Sequence, residues 1–214
     1  MESCQCQGIE SKFDQKYAAK KLKEYRKKGP KETTWELIRA LRTQDLAGLT
    51  LLDIGGGVGD IQHELLRSGL EQAIDSEAST AYSDACRQEA ERLGHADRIR
   101  HIRGDFVTAA GNIPEADIVT LDRVICCYDD LSRLITLSAQ KARKLYGIVY
   151  PVDAWWTRLA VRLYYDLRNL LARNPMRMFV HPSATVEALI QGNGLQRRFY
   201  RRMGAWQVVV YARA

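Results

Sequence analysis

Short apolar runs alternate with amphipathic stretches from residue 49 onward. Strands that alternate with helices in this way favour a mainly parallel sheet with helices on its faces. The final two apolar runs are close together and are expected to form an antiparallel hairpin. The pattern predicts strands at 50–54, 72–76, 99–103, 116–121, 147–152, 196–201 and 206–212, and helices ending near 69 and over 80–93 and 131–144.

Helical periodicity also marks the segments on either side of this alternation. A helix is expected over 9–28, where Gly29-Pro30 ends it, and a second helix then begins with Thr33 or Thr34 as its cap. A long amphipathic helix is predicted over 154–173, and a further helix begins near Ser183.

A glycine-rich turn follows the first strand, in the sequence LLDIGGGVG at 51–59. A phosphate-binding loop would place a lysine after the last glycine, where this chain has Asp60. The glycines of this chain also do not have the Gly-x-Gly-x-x-Gly spacing of a dinucleotide-binding loop. Asp53 adds negative charge where a phosphate would sit, so the expected ligand carries a cation or hydrogen-bond donors.

This turn resembles the first motif of the class I S-adenosylmethionine-dependent methyltransferases, in which two apolar residues precede Asp-x-Gly-x-Gly-x-Gly. The resemblance implies an α/β fold, a Rossmann-like three-layer sandwich with a mostly parallel seven-stranded sheet and a C-terminal antiparallel hairpin. It implies one methyltransferase domain over 1–214, with an N-terminal helical cap at 1–48 and an inserted helical substrate cover at 153–182. The implied cofactor is S-adenosylmethionine, which becomes S-adenosylhomocysteine.

The same family places acidic residues after its second and third strands. An acid at the first position takes the ribose hydroxyls of the cofactor; Glu77 suits the register, and Asp75 is the alternative. An acid after the third strand, here Asp105, accepts a hydrogen bond from the adenine amino group. The implied cofactor-binding set is Asp53, Gly55, Gly56, Gly57, Gly59, Glu77, Ala78, Asp105, Phe106 and Asp122.

Acceptor-side residues are expected after the fourth strand and in the inserted helix. Tyr128, Trp155 and Trp156 are candidate substrate contacts, together with Tyr164 and Tyr165. A general base is needed only if the nucleophile starts protonated. His181 is the first candidate, because the segment after the inserted helix should approach the acceptor. The other candidate bases are His63, His101 and Tyr128, and the adjacent Cys126 and Cys127 are expected to pack beneath the site.

Composition narrows the class of protein without naming a substrate. The 214 residues carry a formal charge of +6, concentrated toward the two ends, which favours an anionic partner. No apolar run approaches the roughly 18 residues of a membrane span. Five cysteines without a framework spacing suggest reduced thiols and a cytoplasmic location. Cys4 and Cys6 lack the further ligands of a zinc site, so no metal is expected.

The sequence therefore predicts methyl transfer to an oxygen or nitrogen atom of a small, apolar or anionic molecule. The N-terminal helix, Thr-Thr, glycine motif and aromatic-rich insertion are similar to the magnesium-protoporphyrin O-methyltransferase branch, which implies an apolar, carboxylate-bearing acceptor. Alternatives are an RNA-modifying methyltransferase, although base-methylation motifs are missing, and a non-catalytic cofactor-binding protein. The helix at 154–173 is basic and carries tryptophan near one end, so it could also lie on a membrane surface.

Overall fold

The computed structural model describes the backbone of residues 4–172 and 178–214, and the side chains of 8–163 and 178–214. The helices are α1 (Cys4–Lys12), α2 (Gln15–Lys28), α3 (Glu32–Leu41), α4 (Asp60–Arg67), α5 (Thr80–Leu93), α6 (Phe106–Ala109), α7 (Leu131–Gln140), α8 (Trp155–Ala172) and α9 (Ser183–Gly192). The strands are β1 (Thr50–Ile54), β2 (Gln72–Glu77), β3 (Ile99–Arg103), β4 (Ala116–Asp122), β5 (Ala142–Pro151), β6 (Leu195–Met203) and β7 (Trp206–Arg213).

In the described part of the chain, these strands form a seven-stranded sheet in the order β3-β2-β1-β4-β5-β7-β6. The first five are parallel, and β7 runs antiparallel to both β5 and β6. The strand order reverses between β1 and β4, and an open sheet of this kind binds ligands beyond the carboxyl ends of its strands at such a switch point. The predicted fold, with its terminal hairpin, is confirmed.

Two apolar clusters cover the two faces of the sheet. One face packs against α3, α4 and α5 through residues such as Leu37 and Leu65, which are fully buried. The opposite face packs against α6, α7 and α9 through residues such as Ile135 and Ile190. The protein is therefore a three-layer sandwich in which the sheet has little freedom to move.

The N-terminal segment differs from the predicted single helix over 9–28. It forms two helices that break at Phe13, and α2 restarts at Asp14, whose carboxylate accepts from the Tyr17 N–H at 2.8 Å. The apolar spacing is continuous across this break, so the periodicity alone could not reveal it. The break turns α1 back toward α5, where the Thr80 N–H donates to the Glu10 side chain at 2.9 Å.

Other boundaries also differ from the prediction. The cap of α3 is Lys31, and the cap of α9 is Pro182 rather than Ser183. The helix expected over 131–144 ends at Gln140, because β5 begins at Ala142 and pairs with β4 from there. Exposed Arg143 and Lys144 conceal the start of this strand in the sequence.

The inserted segment begins with α8, which has an exposed apolar face. The exposed fractions of Trp155, Leu159 and Leu163 are 77%, 48% and 62%. Tyr164 and Tyr165 lie outside the residues whose side chains are described, as does the rest of the predicted apolar face beyond them. Among the described helices, none is long and apolar enough to cross a membrane.

Candidate functional site

A cavity of about 400 Å³ opens at the carboxyl ends of β1, β2 and β4. The glycine-rich turn forms its floor, and α1, α2 and the segment before α3 form its opposite wall. Its size falls within the roughly 300–1,000 Å³ of small-molecule sites. The cavity is therefore a ligand pocket at the switch point of the sheet.

The glycine-rich turn leaves no room for side chains on its inner side. Gly55 has a φ of +67°, and a Cβ there would lie 2.6 Å from Val124. A Cβ on Gly56 would lie 2.7 Å from the Asp75 carboxylate. Gly57, by contrast, opens onto the cavity, where a Cβ would meet only Tyr82 at 3.9 Å. A ligand can thus approach the backbone of the turn closely.

Gly59 does not line the cavity, although the sequence places it in the cofactor-binding set. It adopts φ +87° as the N-cap of α4 and faces away from the pocket. A Cβ at Gly59 would lie 2.6 Å from His63 Nε2 and 2.8 Å from Cys86 Sγ. Its role is to let the chain turn into α4 over a crowded interior.

Asp53 is buried at the end of β1, on the floor of the cavity. Its carboxylate accepts from Thr120 Oγ1 at 2.7 Å and from Gln62 Nε2 at 3.2 Å. Burial raises the pKa of Asp53 to about 8, and the nearby Asp75 carboxylate adds to the shift while both hydrogen bonds oppose it. A cationic ligand in the cavity would favour the ionised form of Asp53.

Glu77 is held in place by the backbone around it. Its two carboxylate oxygens accept from the Gly57 N–H at 3.0 Å and from the Ser79 N–H at 2.8 Å. Burial raises the pKa of Glu77 to about 7, with a further contribution from Asp75. Each oxygen keeps a lone pair for a ligand, so a carboxylate fixed in this way can accept from two neighbouring hydroxyl groups.

Asp75, the alternative to Glu77, points away from the pocket. It is fully buried, and its carboxylate accepts from Gln62 Nε2 at 3.0 Å and pairs with His101 Nδ1 at 2.9 Å. Asp75 does not line the cavity, whereas Glu77 does. The geometry favours Glu77 for a ligand contact.

Asp105 lies across the cavity from the glycine-rich turn, at the start of α6. One of its oxygens caps the helix by accepting from the Thr108 N–H at 3.1 Å. The other accepts from the Tyr128 hydroxyl at 2.9 Å, which joins the loop after β3 to the loop after β4. Phe106 is buried beside them and also lines the cavity.

Asp122 and Arg123 connect the end of β4 to the N-terminal segment. Asp122 accepts from Thr34 Oγ1 at 2.5 Å and from the Arg123 guanidinium at 3.1 Å. Arg123 also donates to Thr33 Oγ1, and its guanidinium lies 5.0 Å from the centre of the Trp206 ring. Arg123 has a φ of +62°, an uncommon conformation for a residue with a side chain, and its many contacts hold it there.

Asp60 adds a carboxylate that the sequence prediction missed. It is the first residue of α4 and lines the cavity, and its Oδ1 is buried without a hydrogen-bond partner. Burial raises the pKa of Asp60 to about 7, and Asp122 adds to this effect while Lys31 and Arg123 oppose it. In the sequence, Asp60 stands directly after Gly59. The sequence analysis used this position only to exclude a phosphate-binding loop.

An aromatic cluster closes the other end of the cavity. The ring of Phe13 lies 5.5 Å from that of Tyr17 and 5.3 Å from that of Tyr82, measured between ring centres. The Ser79 hydroxyl donates to the Phe13 carbonyl at 2.8 Å. The N-terminal segment is therefore attached to α5, the helix that follows Glu77.

His181 does not line the cavity, and this geometry argues against the prediction that it is a general base. Its Nε2 lies 2.9 Å from the Ile125 carbonyl oxygen and 3.0 Å from that of Tyr128. Carbonyl oxygens only accept, so Nε2 carries the proton and donates. His181 instead fixes the loop that carries Tyr128.

Trp155 and Trp156 also lie away from the cavity, which corrects their expected role as substrate contacts. Both are on the exposed first turn of α8, and Trp156 packs beside Arg202 at 5.9 Å. The aromatic side chain that reaches the cavity from this side of the sheet is Trp206, at the start of β7. The spacing within a helix did not reveal which way α8 faces.

Apart from Gly59, the predicted cofactor set gathers around one cavity, together with Tyr128. The residues that the sequence did not assign come mainly from the N-terminal segment and from the loop after β4. They include Lys12, Phe13, Tyr17, Lys31, Asp60, Tyr82, Arg123 and Met178. Cys126 and Cys127 also border the cavity; Cys126 is buried, as a packing residue would be.

A family model described as an O-methyltransferase domain matches residues 5–149. The chain belongs to this family. The predicted membership of the class I S-adenosylmethionine-dependent methyltransferases is thereby confirmed, as are the methyltransferase activity and the cofactor. The matched range includes the glycine-rich turn, Glu77, Asp105 and the loop after β4. No curated protein sequence matches the chain significantly.

Solved structures show the same fold. Magnesium protoporphyrin IX methyltransferase from Synechocystis PCC 6803, with bound S-adenosylhomocysteine, has a TM-score of 0.70 at 19% identity, over 86% of this chain and 82% of that one. An O-methyltransferase family protein from Burkholderia thailandensis has a TM-score of 0.67 at 17% identity, over 85% of this chain and 56% of that one. The mitomycin 7-O-methyltransferase has a TM-score of 0.61 at 23% identity, over 85% of this chain and 54% of that one. The chain thus spans little more than half of the latter two.

Proposed function

We propose that this methyltransferase binds S-adenosylmethionine in the cavity and methylates a hydroxyl or carboxyl oxygen of a small anionic molecule. The observation that carries the proposal is the placement of Glu77, whose carboxylate is fixed by two backbone N–H groups at the wall of a cavity that ends in cationic side chains. The magnesium protoporphyrin IX methyltransferase among the similar structures supports a small-molecule acceptor.

The residues of the cavity fit the cofactor. In our assignment, Glu77 accepts from the ribose hydroxyls, Asp105 faces the adenine, and Phe106 and Ala78 pack against the ring. The open backbone at Gly57 and the carboxylates of Asp53 and Asp122 suit the cationic end of the cofactor, which carries no phosphate.

The acceptor's charge follows from the cationic side chains that line the cavity. Lys12, Lys31 and Arg123 all line it, and burial together with Arg123 lowers the pKa of Lys31. Burial and the neighbouring guanidinium both disfavour the charged form of Lys31, and a bound anion would favour it. We therefore propose that Lys31 and Arg123 bind a carboxylate of the acceptor.

Asp60 is the proposed general base for a hydroxyl acceptor. S-adenosylmethionine supplies the electrophilic methyl group when bound. Asp60 Oδ1 has no hydrogen-bond partner, and the pKa of about 7 lets its carboxylate accept the acceptor's proton near neutral pH. A carboxylate acceptor is already ionised and would need no base. Tyr128, whose hydroxyl is held by Asp105, is proposed to position the acceptor.

We also propose that the exposed face of α8 lies on an anionic membrane surface. Trp155, Leu159 and Leu163 are exposed on it, and the exposed arginines Arg158 and Arg162 share the same helix. Apolar side chains flanked by arginine are typical of helices at a lipid interface. A cytoplasmic location remains a prediction from the sequence.

The direct test is methyl transfer from radiolabelled S-adenosylmethionine to a panel of matched acceptors. Each aromatic hydroxy acid is compared with its methyl ester and with the analogue lacking the hydroxyl. The proposal predicts turnover of anionic members and a loss of ten-fold or more in kcat/KM for the Arg123→Gln variant with them. Equal turnover of acids and neutral esters would contradict the anionic acceptor. Binding of S-adenosylhomocysteine without transfer to any oxygen acceptor would contradict the proposed oxygen acceptor.

A further inference from the structure

A cluster of metal-binding side chains lies beneath the glycine-rich turn, on the side away from the cavity. Asp75, Cys86 and His101 each offer one ligand atom, and these atoms lie within 4.8 Å of one another. The residues come from β2, α5 and β3, so their sequence spacing does not resemble any metal-binding motif. Asp75 and Cys86 are fully buried, and the His101 side chain is 9% exposed.

A fourth donor atom lies near Cys86, outside the group of three whose ligand atoms are within 4.8 Å of one another. His63 is fully buried, and its Nε2 has no hydrogen-bond partner. His63 Nε2 and Cys86 Sγ approach each other across Gly59, where a Cβ would contact both of them. The other ring nitrogen of His63 lies 3.3 Å from His95 Nδ1, so a second histidine can fix the tautomer that leaves Nε2 free to bind a metal.

The charges around the cluster favour a bound cation. Asp53, Asp75 and Glu77 are all buried in this part of the molecule, and the described contacts of their carboxylates include no lysine or arginine. Within the described contacts, the group that can carry a positive charge here is His101, if it is protonated.

We propose that Asp75, Cys86 and His101 bind one Zn²⁺ ion and that the neighbouring His63 side chain shifts to supply the fourth ligand. The result is a structural site that joins β2, β3, α4 and α5 under the glycine-rich turn. One thiolate, two imidazoles and one carboxylate form a donor set that zinc accepts in tetrahedral geometry. Binding releases the thiol proton of Cys86 and replaces the hydrogen bond between His101 and Asp75 with two bonds to the metal. Four protein ligands leave no open position, so the ion would stabilise the fold rather than take part in methyl transfer.

The test measures metal content and coordination in the full chain. The protein is refolded with one equivalent of Zn²⁺ or Co²⁺, passed over a desalting column, and its bound metal is counted. The proposal predicts one tightly held ion per chain and, with Co²⁺, the visible absorption of tetrahedral cobalt together with a thiolate-to-cobalt charge-transfer band. Addition of a chelator should remove the band and lower the Tm.

Substitutions of cysteine and histidine residues show whether the metal is bound at this site or by the other thiols of the chain. Cys86→Ser should lose the charge-transfer band, and His101→Asn should reduce the bound metal at least ten-fold. Cys4→Ser/Cys6→Ser and Cys126→Ser/Cys127→Ser should retain both the ion and the band. A wild-type protein that refolds to its native circular dichroism spectrum without retaining metal would overturn the proposal, as would metal binding that Cys86→Ser leaves unchanged. Neither result depends on methyl transfer, so the proposed enzymatic function is tested separately.

Discussion

At the scale of single residues, the site depends on a few carboxylates that are buried for different purposes. Glu77 is fixed by backbone N–H groups and keeps lone pairs for a ligand, whereas Asp60 has an oxygen with no partner. The family resemblance pointed to Glu77 because of its position in the sequence, at the end of β2. It did not identify Asp60, because a residue after a glycine loop is equally suited to beginning a helix, and only the fold shows that its Oδ1 is buried at the cavity.

The Gly56→Ala substitution tests how closely the turn packs. The added methyl group would first meet the Gln62 side-chain amide, and then Asp75 Oδ1 at 2.7 Å and Asp53 Oδ2 at 2.9 Å, so this buried hydrogen-bonded group must shift. We expect a loss of about 1–3 kcal/mol in the free energy of unfolding, measured by urea denaturation. The matched control is Gly111→Ala, where nothing lies within 4 Å and the free energy should change little. Equal effects at the two positions would contradict the packing described here.

The Asp60→Asn substitution tests the proposed base with a hydroxyl acceptor. Burial raises the pKa of Asp60 to about 7, so below that pH its carboxyl group is protonated and cannot accept a proton. The profile is measured with S-adenosylmethionine saturating, so that Asp53 and Glu77 are already occupied by the cofactor. In the wild type, kcat/KM for the acceptor should then rise about ten-fold per pH unit up to about pH 7 and level off. The variant should be roughly 10²- to 10⁴-fold slower and should lack this rise.

Two controls accompany the pH profile of Asp60. Asp97→Asn changes an exposed aspartate in the turn before β3, and its profile should match that of the wild type. A carboxylate acceptor should show little dependence on Asp60, since no proton is removed from it. An unchanged pH profile in Asp60→Asn with a hydroxyl acceptor would assign the base elsewhere.

At the scale of elements, the regular alternation of strands and helices made the parallel sheet predictable from the sequence. The elements that were misjudged are those whose position depends on contacts far away in the chain. The break between α1 and α2 is stabilised by α5, and the early start of β5 is set by pairing with β4. The direction in which α8 faces also depends on tertiary packing, so the amphipathic pattern could not assign Trp155 to either a pocket or the surface.

Ligand binding should protect the N-terminal helices α1 and α2 from proteolysis. Phe13 and Tyr17 line the cavity and pack on Tyr82, so a bound ligand adds contacts to this segment. S-adenosylhomocysteine should slow tryptic cleavage after the exposed lysines of α2 by about ten-fold or more, a change of roughly 1.4 kcal/mol in the opening free energy. Limited proteolysis followed by mass spectrometry measures this rate.

The protection of α2 should depend on the aromatic cluster. Phe13→Ala is expected to reduce it, while Tyr200→Ala, which removes an aromatic side chain that is 49% exposed on β6, should leave it intact. Cleavage of α2 at the same rate with and without ligand, under saturating conditions, would show that the segment does not cover the bound cofactor.

The exposed face of α8 yields a separate prediction about membranes. The protein should co-sediment with vesicles that contain anionic lipid and much less with neutral vesicles. The Trp155→Ser/Leu163→Ser variant should bind at least ten-fold more weakly, because each exposed apolar side chain contributes about 1.5–3 kcal/mol when fully buried and a good part of that when partly buried. Tyr200→Ser, on β6, is the control with an exposed aromatic residue elsewhere. Equal binding by both variants would place the contact on another surface.

At the scale of the whole molecule, one cavity brings together residues that are far apart in the chain. The switch point of the sheet positions Asp53, Glu77 and Asp122, and the N-terminal segment reaches over them through Thr33 and Thr34. The family motif predicted the first group because each residue lies at the carboxyl end of a strand. It could not predict the cationic end of the cavity, since Lys31 and Arg123 acquire their common role only when the N-terminal segment folds back over the sheet.

The central claim is that this cavity binds the cofactor through Glu77. Calorimetric titration with S-adenosylhomocysteine tests it most directly, in the wild type, in Glu77→Gln and in the control Glu71→Gln, which changes an exposed acid just before β2. We predict one site per chain, a Kd at least ten-fold higher for Glu77→Gln, and an unchanged Kd for Glu71→Gln. Equal affinity of Glu77→Gln and the wild type, or no binding by the folded wild-type protein, would contradict the account.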